Sequence, residues 1–373
     1  MSSPLAIGII NILNSIQQQS ARYGFSLMIV FGNIGCVFNC LILLRKTYRQ
    51  NPCSLYILAS SCTNLIFINL VIVSRLLAVG YNYDLTIYST FYCKFRAYIA
   101  FATSLLSRTY IVLACADRYC SSSSKARRRA FSNIKVARYL IPSLALFWLL
   151  SSIHVYFYWN IVIGTGNKYT CTTATSIYTV FYAFYNALLS GVLIPTLMII
   201  FGVLTLQNIK QINRRIHNIT ANISRTINAQ QQRRGIADNQ LTVMLLVQLL
   251  FYVISCLPFP IYLLYNAFTI NNQQKSTVQN AIESFISYLT IFLLYLNFCS
   301  TFYVYTLSGK SFRKEFKHIL MMVVVYFGII KRSEQQQRSF KLTHGPQRIR
   351  PINKTVETIT VAPVPPSLMN KIH

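Results

Sequence analysis

Two residues of opposite charge, Asp117 and Arg118, stand side by side before Tyr119 and close a stretch that is mostly apolar back to Cys93, twenty-five residues before Arg118. A carboxylate and a guanidinium placed together form an acid-base pair whose members can exchange partners. Between Cys93 and Asp117 only Lys94, Arg96 and Arg108 are charged. As an α-helix this stretch rises about 1.5 Å per residue, enough to cross a hydrocarbon core about 30 Å thick. At about 100° per residue, Ala100, Ser104, Ser107, Ile111, Ala114 and Arg118 fall on one stripe. That stripe is small and polar and ends in a cation, which suits a helix at the centre of a bundle.

Three further arginines sit where charge is expensive. Arg75 and Arg96 lie near the end of their spans that is remote from Arg118, placed to look into a cavity there and to favour a ligand carboxylate. Snorkelling to lipid headgroups is the alternative for both. Arg108 is near mid-membrane, where an unpaired charge costs about 2.5–3.5 kcal/mol on insertion scales. No acid lies in any apolar run at that depth, so Arg108 must bond carbonyls, tyrosine hydroxyls or water, as a structural brace first and a switch second. His154 alone makes no hydrolytic constellation. A transporter or channel would want intramembrane acids or interrupted helices around a midplane site, and the sequence has neither.

The elements that must carry these residues follow from composition. Of 373 residues, 54% are hydrophobic and 11% charged, against roughly 25% charged in soluble domains, so this is a membrane protein. Seven runs are long enough to span: about 24–44, 54–79, 91–117, 138–161, 177–206, 240–267 and 281–307. The net charge of +28 would suit nucleic acid were it not distributed so unevenly. It gathers in alternate connections, at Arg45 to Arg49, Lys125 to Arg138, Lys210 to Arg234 and from Lys310 onward. This positive-inside pattern places the N-terminus outside and the C-terminus in the cytoplasm, with anionic lipid as a partner of the same basic loops and no role for nucleic acid. No convincing leader precedes the first span, which would serve as its own insertion signal. Of ten cysteines, six lie in apolar runs and behave as small hydrophobes, while Cys93 and Cys171 fall in outward connections where oxidation is permitted, and are paired.

With Cys93 at its spacing on a spanning helix, Asp117-Arg118-Tyr119 resembles the third helix of rhodopsin-like (class A) G-protein-coupled receptors. In that family the cysteine joins the second outer loop, which here holds Gly164, Gly166 and Cys171. The resemblance implies an all-α membrane protein of the plasma membrane, a seven-transmembrane helix bundle with a short amphipathic eighth helix, without catalytic residues, metal or cofactor. Residues 1–23 would be the extracellular N-terminus, 24–307 the receptor domain, 308–330 helix eight with an interfacial apolar segment, and 331–373 a disordered cytoplasmic tail. Trp148, Pro195 and Pro258 stand at the family's tryptophan and helix-bending prolines, and Phe312-Arg313-Lys314-Glu315-Phe316 resembles the start of helix eight. Asp238, twenty residues before Pro258, matches the acid that reaches Arg118 in the resting state.

Several positions depart from the family pattern. Asn64 replaces the helix-two aspartate that, with neighbours matched by Ser107 and Asn297, binds sodium in many relatives, so a polar, water-linked core without a strong sodium site is expected. Cys36 replaces a helix-one asparagine whose amide Asn33 or Asn39 would supply, and Val203 replaces a tyrosine. Cys256 replaces the hinge tryptophan. In Thr301-Phe302-Tyr303-Val304-Tyr305 only Tyr305 remains of Asn-Pro-x-x-Tyr. Ala100 stands at the amine-binding aspartate and Tyr295 at the retinal-binding lysine, which speaks against both ligand classes and favours a peptide, with lipid or small acid open. The family mechanism implies that a ligand near Arg75, Arg96, Ala100 and Tyr295 moves helix six about Pro258. Arg118 is then released from Asp117 and Asp238 toward Tyr305 and a heterotrimeric G protein. A weakly coupling receptor-like scaffold is the reading that the lost switch residues favour instead.

Overall fold

The computed structural model describes residues 4–163, 169–220, 229–269, 276–310, 312–322 and 324–325, with backbone alone for 47, 212–220 and 229–240. Among these, seven helices are long and apolar enough to cross a membrane: α1 Pro4–Leu43, α2 Pro52–Gly80, α3 Thr90–Ser122, α4 Ile134–Tyr158, α5 Ser176–Gln211, α6 Leu241–Thr269 and α7 Thr277–Ser308. Local chemistry sets several of their starts. The side chains of Asn51, Ser89, Asn133, Thr175 and Ser276 accept from the backbone N–H of Cys53, Tyr92, Lys135, Tyr178 and Gln279, and so cap α2, α3, α4, α5 and α7. Pro52 follows its cap at the position where a missing N–H costs nothing.

Six of the helices lie within a few residues of the spans expected from hydropathy. The first does not: it begins at Pro4, so residues 4–23, expected ahead of the span, are continuous with it through a π turn at Ala21–Phe25. No proline interrupts that stretch, and Ser20 Oγ meets Tyr288 OH on α7 at 2.9 Å, fixing the entry to the bundle. Wide turns recur at Ile68–Ile72 and Leu76–Gly80 in α2 and at Ala187–Leu193 in α5. The last of these directly precedes Pro195, whose ring removes a donor and frees a carbonyl. In α6 the regular helix stops at Cys256 and resumes at Pro258.

A two-stranded antiparallel hairpin, β1 Trp159–Ile163 and β2 Tyr169–Thr173, interrupts the helical order. Its register sets Ile161 opposite Cys171, and Cys171 bridges to Cys93 across a Cα separation of 5.8 Å. Gly164 and Gly166 lie outside the described residues.

Burial identifies α3 as the axis. Two-thirds of its apolar window (67%) is buried, against 17% in α4, which lies at the periphery. The outer faces are apolar: Phe31 on α1, Phe147 on α4, Leu188 on α5, Ile254 on α6 and Leu289 on α7 are all exposed. Side chains of this kind facing outward on every side fit hydrocarbon as the solvent. Helices approach closely where Gly32 faces α2 and α7, because a Cβ there would sit 2.9 Å from both Ile68 Cδ1 and Cys299 Sγ. Gly32→Val is expected to lower thermal stability by about 1–3 kcal/mol through overpacking. Gly8→Ala, with nothing within 4 Å, should leave it unchanged or raise it slightly in the same melting assay.

Candidate functional site

At the end of α3 the acid-base pair is buried. Arg118 is 3% exposed and donates from Nη2 to Asp117 Oδ2 at 2.7 Å and to Asn51 Oδ1 at 2.8 Å. Asn51 therefore has two tasks, since its side chain also caps α2. The cap residue's link to the guanidinium is a partner that sequence reasoning missed. Its signal was present, an Asn-Pro pair opening a helix, but nothing local says that such a cap faces Arg118. The second oxygen of Asp117 accepts from Ser132 Oγ at 2.8 Å, tying the pair to the connection before α4. Tyr119 points another way. Its hydroxyl accepts from Arg128 Nη1 at 2.6 Å, and its ring lies 6.1 Å from Phe201 on α5.

Arg118 also borders a cavity of about 10 Å³ between α3, α5 and α6, with Cys115, Met198, Thr205, Thr242 and Leu245. Asp238 belongs to helical backbone leading into α6, but its side chain lies outside the described residues, as do those of Ile212, Ile216 and Ile219 on the extension of α5. Ile223 and Ile227, which continue the same run of isoleucines spaced three and four apart in the sequence, are likewise outside them. Tyr305 is fully buried, 6.1 Å from the Phe312 ring, and its hydroxyl has no hydrogen-bond partner among the described residues. It is not bonded to Arg118.

Halfway along the bundle the expected polar residues meet. Ser107 Oγ donates to Asn64 Oδ1 at 2.5 Å and contacts Ser60 Oγ at 2.9 Å. Asn297 lines the same cavity but donates to Ser255 Oγ at 3.1 Å. The amide expected from α1 comes from Asn39, which is buried and reaches Ser61 Oγ at 3.3 Å, while Asn33 pairs with Asn69 on the exposed side. Arg108 enters this region from α3 and touches α5, α6 and α7. Ser190 accepts from Nη1 at 3.0 Å, Cys256 Sγ lies 3.9 Å from Nη2, and the Tyr252 and Phe298 rings lie 5.5 and 5.4 Å from its guanidinium carbon. Among the described residues no carbonyl or tyrosine hydroxyl accepts a hydrogen bond from it, two of the three kinds of partner expected, the third being water. A serine and a thiol accept them, and two ring faces stack on the guanidinium, with Ser190 buried in the wide α5 turn before Pro195.

A family model described as 7 transmembrane receptor (rhodopsin family) matches residues 35–305, the greater part of the chain. The chain belongs to the rhodopsin family of seven-transmembrane receptors. It is thus a multi-pass membrane protein of a family of receptors, not enzymes. No curated protein matches the chain.

At the receptor's disulfide end three of the four ligand-pocket candidates are neighbours, Tyr295 and Arg96 both lying close enough to Arg75 to act on its charge, as does Asp84. Arg96 donates from Nε to Ser74 Oγ on α2, with Nη2 3.5 Å from the Val71 carbonyl. Arg75 is partly buried, and its Nε has no partner among the described residues. Tyr295 is packed against Phe25 and Phe67, and Ala100 is half-buried. Trp148 secures α4 to α3 by donating to Thr109 Oγ1 at 3.0 Å. Beyond α7 the backbone of 312–322 is helical. Phe312 is buried there, and Glu315 pairs with Arg45. Burial, and then the Glu315 carboxylate, push the nearby Tyr48 phenol up to about 12, so it stays a neutral donor at physiological pH.

Two losses are expected. Replacing Cys93 and Cys171 together by serine should cost about 2–5 kcal/mol, read as a lower melting temperature of the purified receptor. Asn51→Ala should cost about 1–2 kcal/mol through the lost cap and the lost Arg118 acceptor, with Asn51→Asp retaining most of the stability in the same assay.

Proposed function

We propose that this receptor binds an extracellular ligand, a peptide with an acidic group, and activates a heterotrimeric G protein by rearranging its helices. The observation that supports this best is the setting of Arg118. It is held by Asp117 and Asn51 at the edge of a cavity between α3, α5 and α6, the gap that widens if α6 swings about Pro258. In this reading the N-terminus and the hairpin face outward, the Arg118 end faces the cytoplasm, and the segment from Phe312 serves as the eighth helix. Asp238 then lies on the cytoplasmic side with Arg118, as a second partner in the resting state.

The ligand end follows from charge. Arg75 and Arg96 make no ion pair among the described residues, Asp84 acting on Arg75 only at a distance, and the partnerless Nε of Arg75 leaves a buried donor for a carboxylate. A charge-assisted bond there gives a peptide carboxylate both affinity and orientation.

Ligand-dependent nucleotide exchange on a G protein in the presence of the full-length receptor is the decisive measurement. Its absence across a broad panel of acidic peptides and G proteins would favour a weakly coupling scaffold. A coupling of about 1–3 kcal/mol shifts populations about 5- to 150-fold. Asp238→Ala is therefore expected to raise basal exchange and Arg118→Ala to abolish it at equal surface expression. Unchanged basal exchange in the first variant would remove Asp238 from the resting lock. Arg75→Ala and Arg96→Ala should each weaken an acidic ligand about tenfold or more without changing basal exchange.

A further inference from the structure

Arg108 is a buried cation whose described partners are all neutral. It lies on α3 about 21 Å from Ser122 along the helix and is 5% exposed. Ser190, Cys256 and the rings of Tyr252 and Phe298 occupy its two terminal nitrogens and its faces. Its Nε has no partner among the described residues. The chain has seven acids, and none of those with described side chains is at this depth. Asp84 is in the α2–α3 connection, Asp117 pairs with Arg118 at the end of α3, and Asp238 precedes α6. Glu283 is near the start of α7, and Glu315, Glu334 and Glu357 follow it.

The guanidinium borders a cavity of about 10 Å³ that Asn64, Ser107, Gln248, Asn297 and Thr301 also line. That volume takes one body about the size of a water molecule. Gln248 is 3% exposed, and its Oε1 likewise has no partner among the described residues. Rotation about its Cγ–Cδ bond would present the amide nitrogen to the cavity instead. Hydroxyls, amides and a cation, with no carboxylate among the lining residues, give the cavity a net positive charge. Ile111 and Met198 close it with apolar walls, which strengthens the field, and the flexible Met198 thioether chain can yield to a slightly larger occupant.

We propose that this cavity binds a single small monovalent inorganic anion, chloride, as the counter-charge of Arg108. The anion would join α2, α3, α6 and α7 through Asn64, Arg108, Gln248 and Asn297. Binding then stabilises the arrangement in which those four helices are packed together, independently of any peptide ligand or G protein.

The test is the melting temperature of the full-length receptor in lipid nanodiscs, with sodium chloride replaced stepwise by sodium gluconate at constant sodium and ionic strength. Wild type should gain about 2–4 °C in chloride, saturably, and bromide should substitute for it. Arg108→Gln should lose the response. Asn64→Asp, which places a carboxylate on the same cavity, should melt higher than wild type in gluconate and be insensitive to chloride. A wild-type melting temperature that ignores the anion means that water alone fills the cavity, and overturns the proposal. A chloride response that survives in Arg108→Gln also overturns it. If Arg108→Gln does not fold, an undiminished response in Asn64→Asp has the same meaning.

Discussion

A polar group carried into hydrocarbon must find its partner inside the protein, and in this molecule the burden falls on α3. It is the most buried span and also holds Asp117, Arg118 and Arg108, so the bundle is arranged around the partners those side chains require. Asn51, Ser132, Ser190 and Tyr252 come from four other parts of the chain and converge on this one helix. Removing one partner of a buried charge costs more than the pair contributes net, which makes these contacts specify the packing even where they add little stability.

The two ends of the bundle are held by different means. At one end a covalent bridge joins the start of α3 to a hairpin strand and restricts the chain regardless of helix packing. At the other, Arg118 is held by non-covalent contacts that include hydrogen bonds and an ion pair, with a cavity beside it and a helix break at Pro258 on the neighbouring span. In the proposed mechanism this difference matters, because a small shift near the first end would be converted into a choice of partner at the second.

The positions that depart from the family pattern make a coherent local set. Where an aromatic hinge residue would stand, Cys256 leaves room beside Arg108, and the arginine fills it with its own stacking on Tyr252 and Phe298. Asn64, neutral where an acid is usual, shares the cavity with that same cation. An acid at 64 and a neutral residue at 108 would reverse the sign of this region. Both departures thus act on the charge of the same cavity.

Membership of the bilayer, the number of spans, the central place of α3 and the pairing of Cys93 with Cys171 were legible in the sequence. Each depends on hydropathy, helical period or motif spacing, properties that a local stretch carries with it. The helical start at Pro4, the hairpin at Trp159–Ile163 and the choice of Asn39 over Asn33 were not legible, nor were Asn51 beside Arg118 and Ser190 beside Arg108. Those depend on which faces of distant segments meet. Residues 67 or 82 positions apart in sequence become neighbours only when helix rotation, the wide turn before Pro195 and close contacts such as Gly32 with α7 have fixed the packing.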